Sequence, residues 1–405
     1  MCGEAVTRGR PEKEAAAAAA CERRPSFRSS VALVYAVGLL QGAFGVTIAA
    51  SSTALRQRLA LGDTVYGSLF VPALLLAMVT SLLGHALLRR WSLRALFLFS
   101  LAGEVVALFL MALAGMIGRP FGLPLLLVGV ALSGPAMGAF GITLNTAAIE
   151  LFPGRRDGAI TALHGLLGAG AAMWPLGVAA ASGFGAWPVA PLGLAGLFAV
   201  ALALALRRPL QGVPREIHPA HAQSRVPRRL STRSLTAFVY GIAEATFSTW
   251  AVVYLYEQRG LPAGVAAGAL SAFWLTMTVG RLLAAVVVRW STPVILTLVL
   301  SVGMSLAFLL VSRAQSTAGA FLAFGFAGLA CSAVFPLLLS LGSADFPERT
   351  PQVSAIFSAA VLAGVSVGSF AVGPLRAVLG LERIYAISAI GPLILGLLVV
   401  LMARR

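Results

Sequence analysis

Twelve stretches of roughly twenty apolar residues recur along this chain, separated by short polar breaks. A helix of that length crosses the ~30 Å hydrocarbon core of a bilayer once. The spans read as 31–53, 66–88, 95–115, 123–150, 158–181, 187–206, 235–257, 264–288, 293–312, 318–345, 353–376 and 384–402. Backbone N–H and C=O groups in lipid need internal partners, so each run is expected to be a helix. The runs are continuous and show no ten-residue alternation, which excludes an outer-membrane barrel. The expected fold class is an all-α polytopic membrane protein with twelve transmembrane helices.

Composition agrees. Only 11% of the 405 residues are charged and 59% are hydrophobic, against about 25% charged in soluble domains. Such a chain cannot clothe itself in a polar surface, and its solvent is the lipid bilayer. The 43 glycines and 21 prolines suit membrane helices, where small residues allow close backbone approach. The net charge of +16 does not point to nucleic acid, because the arginines punctuate the apolar runs and build no single basic face. Three cysteines, Cys2, Cys21 and Cys331, are too few and scattered for a disulfide framework or metal site.

Basic residues orient the chain. With the amino terminus inside, 22 of them fall on the inner side and 7 on the outer, with Arg281 inside a helix. The outer seven are Arg56, Arg58, Arg119, Arg259, Arg313, Arg376 and Arg383. Both termini are therefore expected in the cytoplasm of a bacterial-type inner membrane. Residues 1–30 read as a disordered basic cytoplasmic tail, 31–206 as an N-terminal six-helix bundle, 207–234 as a cytoplasmic linker and 235–405 as a C-terminal six-helix bundle. The halves repeat weakly. Arg90-Trp91-Ser92 and Arg289-Trp290-Ser291 end the second and eighth helices, and Phe152-Pro153 and Phe346-Pro347 the fourth and tenth. Two similar halves suggest a pseudo-symmetric transporter with its site between them.

The stretch Gly84-His85-Ala86-Leu87-Leu88-Arg89-Arg90 resembles the loop 2–3 signature of the major facilitator superfamily, with Leu88 in place of its aspartate. Gly280-Arg281 through Val288-Arg289 resembles the second-half copy, with Val288 in place of the aspartate. Asn145 to Arg156, His164 to Pro175, and Tyr240 to Tyr254 are similar to the sugar-transporting branch that includes fucose–proton symporters. The resemblance implies that helices 1, 4, 7 and 10 line a central cavity and that 3, 6, 9 and 12 support it.

Ionisable groups at membrane depth are costly and mark functional positions. Glu244 lies ten residues past Ser234, roughly 15 Å along its helix. A carboxyl there can hold a proton or a polar solute in alternation. Arg281, at similar depth on the next helix, is its expected partner, as a static staple or as a pair opened by proton or substrate. Glu104 is also mid-membrane, on a support helix, and reads as an interhelical contact. Asn145 and His164 flank one cytoplasmic turn and can approach each other; His164 reads as a packed histidine or a proton relay. Gln41, midway along helix 1, is a candidate to grip hydroxyls. Trp174, Trp250 and Trp274 lie within helices, as packing residues or as flat platforms for a sugar ring. Gate candidates at the cytoplasmic ends are Glu150, Arg155, Arg156, Asp345, Arg349, Arg89 and Arg90.

The nucleophile-elbow match Gly364-Val365-Ser366-Val367-Gly368 lies in an apolar helix and lacks the strand–turn–helix setting that motif needs. No phosphate-binding glycine–lysine loop or metal-ligand cluster is present in the sequence, so neither cofactor nor enzyme activity is expected. The leading expectation is a secondary active transporter, proton-coupled and monomeric, for a small polar, sugar-like solute. Gly170 with Trp174-Pro175 is a degraded antiporter signature in helix 5 and motivates a proton-driven efflux antiporter as the alternative. The missing aspartates motivate a non-transporting receptor or assembly protein on the same scaffold.

Overall fold

A computed structural model describes residues 25–207 and 228–403. Most of the expected basic tail and residues 208–227 of the linker lie outside the described residues. Regular structure among the described residues is helical throughout. The membrane-length helices are α1 (Pro25–Ala50), α2 (Asp63–Leu82), α3 (Leu93–Ile117), α4 (Gly122–Leu151), α5 (Arg156–Gly183) and α6 (Val189–Arg207). The second half holds α7 (Arg228–Gln258), α8 (Ala263–Val287), α9 (Pro293–Ser312) and α10 (Thr317–Asp345). A last apolar stretch, Gln352–Met402, is long enough for two crossings. It divides at Gly380, whose φ of 72° and ψ of 154° break the helix. This gives α11 (350–379) and α12 (381–403). Gln258 seals the break, its Oε1 accepting the Leu381 N–H at 2.9 Å.

The boundaries depart from expectation at α1, which takes in residues 25–30 assigned to the disordered tail, and at α7, which begins at Arg228 and takes in residues 228–234 assigned to the linker. Arg233 thereby becomes a helix residue. The expected repeat is visible as backbone geometry. Phe152 ends α4 at φ −132°, ψ 66° and Phe346 ends α10 at φ −133°, ψ 63°, each followed by one 3-10 turn, Pro153–Arg155 and Pro347–Arg349. Ser92 and Thr292 cap the helices that follow the two Arg-Trp-Ser segments, accepting from Ala95 and Ile295 N–H at 3.2 Å. Such caps satisfy donors the first helical turn leaves free.

Each half has its own aromatic core. Phe247 stacks on Phe308 at 3.8 Å beside Phe273 and Tyr385, and Phe140 lies between Phe97 and Phe198. On α9, Ile295, Val299, Val302 and Leu306 are exposed and share one face, as a helix turned toward hydrocarbon requires. The halves meet through α5 on α8 and α2 on α11. Small residues make these contacts possible: a Cβ at Gly373 would stand 2.7 Å from the Asp63 carbonyl oxygen, and one at Gly67 2.9 Å from that of Ser369.

Candidate functional site

An even number of crossings puts both described chain ends on one side of the bundle, here the termini end. Polar residues from both halves converge between its mid-depth and that side. From the N-terminal half come Asn145 on α4 and His164 on α5, with His164 Nε2 at 3.2 Å from Asn145 Oδ1. The approach expected from sequence is made. The same Asn145 donates through Nδ2 to the Gly141 carbonyl at 2.7 Å, which fixes its amide. On that face of α4, nothing lies within 4 Å of where a Gly141 Cβ would stand, nor does anything around Gly165 on α5. The cluster borders open space.

The C-terminal half supplies Arg281 and Glu244. Arg281 Nε donates to the Ser332 carbonyl of α10 at 3.1 Å, and its Nη2 reaches Met277 Sδ at 3.8 Å. The guanidinium is thus anchored by a backbone carbonyl. Glu244 and His164 both lie within its electrostatic reach. Among the described residues Glu244 and Arg281 make no direct ion pair. Tyr240, one turn before Glu244, stands beside its carboxyl and donates its own hydroxyl to the Cys331 carbonyl at 3.1 Å. Arg281 is the hub: it faces a carboxyl of its own half and an imidazole–amide pair of the other.

Trp174 and Trp274 are half-buried, and neither indole N–H has an acceptor among the described residues. Trp174 packs on the cores of both halves. Gly168 of α5 meets Thr278 of α8, so counting from that contact puts Trp174 and Trp274 about 9 and 6 Å further from the termini end. Their N–H groups are two buried donors without an acceptor among the described residues, at similar depth on α5 and α8.

Two sequence expectations need correction. Gln41 does not join this cluster. Gly38 and Gly42 press that face of α1 against Leu163 and Leu167 of α5, while Gln41 turns to Glu104 on α3. Trp250 offers no platform: it is fully buried, its ring lies edge-on to Tyr66 at 5.0 Å, and its Nε1 donates to the Ser369 carbonyl at 3.0 Å.

Those contacts belong to a seal at the end opposite the termini. Arg56 pairs with Asp63 (2.8 Å) and Glu257 (2.8 Å), and Arg376 pairs with the same Asp63 (2.7 Å) and Glu257 (3.1 Å). Two arginines and two carboxylates close a four-membered ring, each half contributing one of each sign. A π-helical turn, Tyr254–Gln258, ends α7 and presents Glu257. Beneath the ring, Tyr66 donates to the Thr249 carbonyl at 3.0 Å and Thr249 bonds Ser369 at 3.0 Å. The Arg56 guanidinium lies 5.7 Å from the Tyr66 ring centroid, within cation–π range.

The expected gate residues at the termini end behave otherwise. Arg89, Arg90, Arg155 and Arg156 are exposed, and with Glu150 they make no ion pair among the described residues. Asp345 pairs with Arg233 of its own half, so it staples α10 to α7 and does not bridge the halves. Arg349 sits on the turn that follows. Among the described residues, ion pairs join the two halves at the far end and not at the termini end. Sequence reasoning counted Arg56 and Arg376 only for orientation. The available signal was that Asp63 and Glu257, two of just 14 acidic residues, fall at the same end as those arginines.

The family model of the Major Facilitator Superfamily matches residues 31–369. The chain belongs to the Major Facilitator Superfamily. A curated relative, an uncharacterized MFS-type transporter of Yersinia pestis, is 24% identical over 318 residues, covering 78% of this chain and 81% of that one. Among solved structures, the nucleoside transporter NupG superposes with a TM-score of 0.78 at 14% identity, covering 92% of this chain and 99% of the other. A bacterial homolog of the human lysosomal transporter Spinster, inward-facing and occupied, gives 0.78 at 13% identity over 94% and 97%. The Escherichia coli fucose:proton symporter FucP gives 0.64 at 15% identity over 93% and 99%. These likenesses establish the transporter fold. They do not single out the sugar branch, since nucleoside and Spinster-type transporters match as well as the fucose symporter does. As a member of this superfamily the chain is a multi-pass membrane transporter, not an enzyme.

Proposed function

We propose that this transporter carries a small polar organic solute across the cytoplasmic membrane by alternating access, coupled to protons, with its site at the Arg281 cluster. The observation that supports this most is that Glu244, Arg281, His164 and Asn145 come from both halves, at depth, beside open space. A site drawn from two rocking halves is exposed to one side at a time. Arg281, held by Ser332 and making no direct ion pair among the described residues, offers a fixed cation to a hydroxylated or anionic group. Asn145 and His164 offer hydrogen bonds from the facing half, and the Trp174 and Trp274 indoles a polarised edge and apolar face. Glu244 is the proton acceptor in this reading: protonated it leaves Arg281 to the solute, and ionised it competes for it.

The arginine asymmetry supports cytoplasmic termini, so the ring of Arg56, Asp63, Glu257 and Arg376 is the periplasmic gate and the state is inward-open. A polyhydroxylated solute, sugar-like or nucleoside-like, fits a site of one cation, one acid, an amide, an imidazole and two indoles. The fucose symporter and the nucleoside transporter, by the names they carry, move solutes of that chemistry. The functional unit is proposed to be a monomer, since both halves of the site lie in one chain. Counterflow in proteoliposomes against a panel of sugars and nucleosides tests the substrate class. Exchange of at least one member, lost in Arg281→Ala, is expected. No exchange by any member, with robust efflux of amphipathic cations instead, overturns it.

A further inference from the structure

The N-terminal bundle contains a second acid that the central cluster does not use. Glu104 sits eleven residues into α3, near its middle, and is completely enclosed, with 0% of its surface exposed. Among the described residues no arginine, lysine or histidine pairs with it. The polar side chain beside it is Gln41 of α1, itself 8% exposed. Neither carboxyl oxygen of Glu104 accepts a well-formed hydrogen bond, and neither does Gln41 Oε1.

Counting donors and acceptors identifies what is missing. An ionised carboxyl has acceptors only, whereas an amide side chain brings one acceptor oxygen and two N–H donors. The two Glu104 oxygens and Gln41 Oε1 are three buried acceptors, and the Gln41 amide N–H beside them can serve the carboxyl but not its own oxygen. A single proton on Glu104 converts one acceptor into an O–H donor aimed at Gln41 Oε1. The Gln41 amide N–H can then serve the other carboxyl oxygen, closing a two-bond acid–amide pair. Without that proton a bare charge would stand in the bundle interior with no cation, among the costliest arrangements a membrane protein can hold.

A cavity lies close to the pair along the same two helices. One helical turn on, toward the sealed end, this cavity of about 60 Å³ opens between α1, α2, α3 and α4. Phe44 and Gly45 line it from α1, and Ala107 and Leu108 from α3. These are the residues three and four positions beyond Gln41 and Glu104, so they share their faces. Thr47 and Ser133 line it too. A water needs about 10–15 Å³ of such space, so a short water file fits.

We propose that Glu104 and Gln41 form a proton-binding site inside the N-terminal bundle, with this cavity as its water-filled vestibule. The proton is taken from cavity water, is held between the Glu104 carboxyl and Gln41 Oε1, and returns to water on release. The site ties α1, which borders the pathway, to the support helix α3. It stands independently of Glu244 and of the identity of the solute.

Infrared spectroscopy of the full chain in lipid tests this without a transport assay. At neutral pH the wild type is expected to show a protonated-carboxyl C=O band that disappears in Glu104→Gln, persists in Glu244→Gln and shifts in Gln41→Leu. One proton held by the folded state and not the unfolded one makes folding less favourable as pH rises, by up to tenfold in the folded-to-unfolded ratio per pH unit. Thermal stability is therefore expected to fall more steeply with pH in the wild type than in Glu104→Gln. A Glu104→Gln spectrum that superimposes on the wild type, with equal pH slopes, overturns the proposal. If Glu104→Gln does not fold, a band left unshifted by Gln41→Leu overturns it.

Discussion

Removing one member of the four-membered ring tests whether it sets the conformational equilibrium. Glu257 accepts two bonds from Arg56, at 2.8 and 3.2 Å, and one from Arg376 at 3.1 Å. Glu257→Gln keeps the shape and removes the charge. It weakens two ion pairs and leaves Asp63 alone between two arginines. The side chains are 13–27% exposed, so each pair is worth about 0.2–1 kcal/mol, with the bidentate one at the upper end. Arg376 shares a half with Glu257, so only the Arg56 pair joins the halves, and its loss costs the closed far end up to about 1 kcal/mol, where 1.4 kcal/mol is a tenfold population change. The assay is a spin-label distance across the far end. Labels go at Phe121 and Val378, both highly exposed, with Cys2 and Cys21 replaced. The open, long-distance population is expected to rise about two- to fivefold in Glu257→Gln. The double exchange Arg56→Glu with Glu257→Arg is expected to return it toward wild type. An unchanged distribution in both Glu257→Gln and Arg376→Gln refutes a gating role, and the seal then rests on Tyr66, Trp250 and Ser369 alone.

Three further outcomes follow from the same geometry. Arg281→Lys keeps the charge but loses the planar guanidinium that bonds Ser332, so uptake is expected to fall at least tenfold; near-normal uptake would show that only the charge matters. Asn145→Ala removes the bond to His164 and is expected to raise KM three- to tenfold, about 1 kcal/mol, with expression unchanged in membranes; an unaltered KM removes the pair from the site. Gly373→Val puts side-chain atoms against the Asp63 backbone and is expected to cost about 1–3 kcal/mol of the closed far end, read as increased thiol labelling of Thr249→Cys by an impermeant reagent added outside.

Much of the scaffold is legible because a bilayer crossing imposes about twenty apolar residues per helix. All twelve helices read as separate apolar runs of the right length, α11 and α12 being divided at residues 377–383. The start of α7 was missed because Arg228–Ser234 is polar and helical at once, projecting beyond the hydrocarbon. The Asn145–His164 contact was legible because only 19 residues and one turn separate them. Which way a residue faces was not. Gln41 lies on a helix apolar on nearly every face, and Trp250 on one where Glu244, Thr246, Ser248 and Thr249 spread polar groups around it, so periodicity cannot tell cavity from core. The far-end ring joins the halves through Arg56 and Glu257, 201 positions apart, and Arg376 and Asp63, 313 apart, pairings only the packing of the two halves reveals. The Asp345–Arg233 staple was hidden by placing Arg233 in a loop.

The coupling role of Glu244 at the Arg281 cluster is tested most directly by proton movement. With a pH-sensitive dye trapped in proteoliposomes, a solute that the wild type exchanges is added from outside. Solute-evoked proton flux in the wild type, abolished in Glu244→Gln while counterflow persists, is the predicted result. Solute uptake without proton flux in the wild type, or equal flux in Glu244→Gln, would contradict it and return Glu244 to a structural role beside Tyr240.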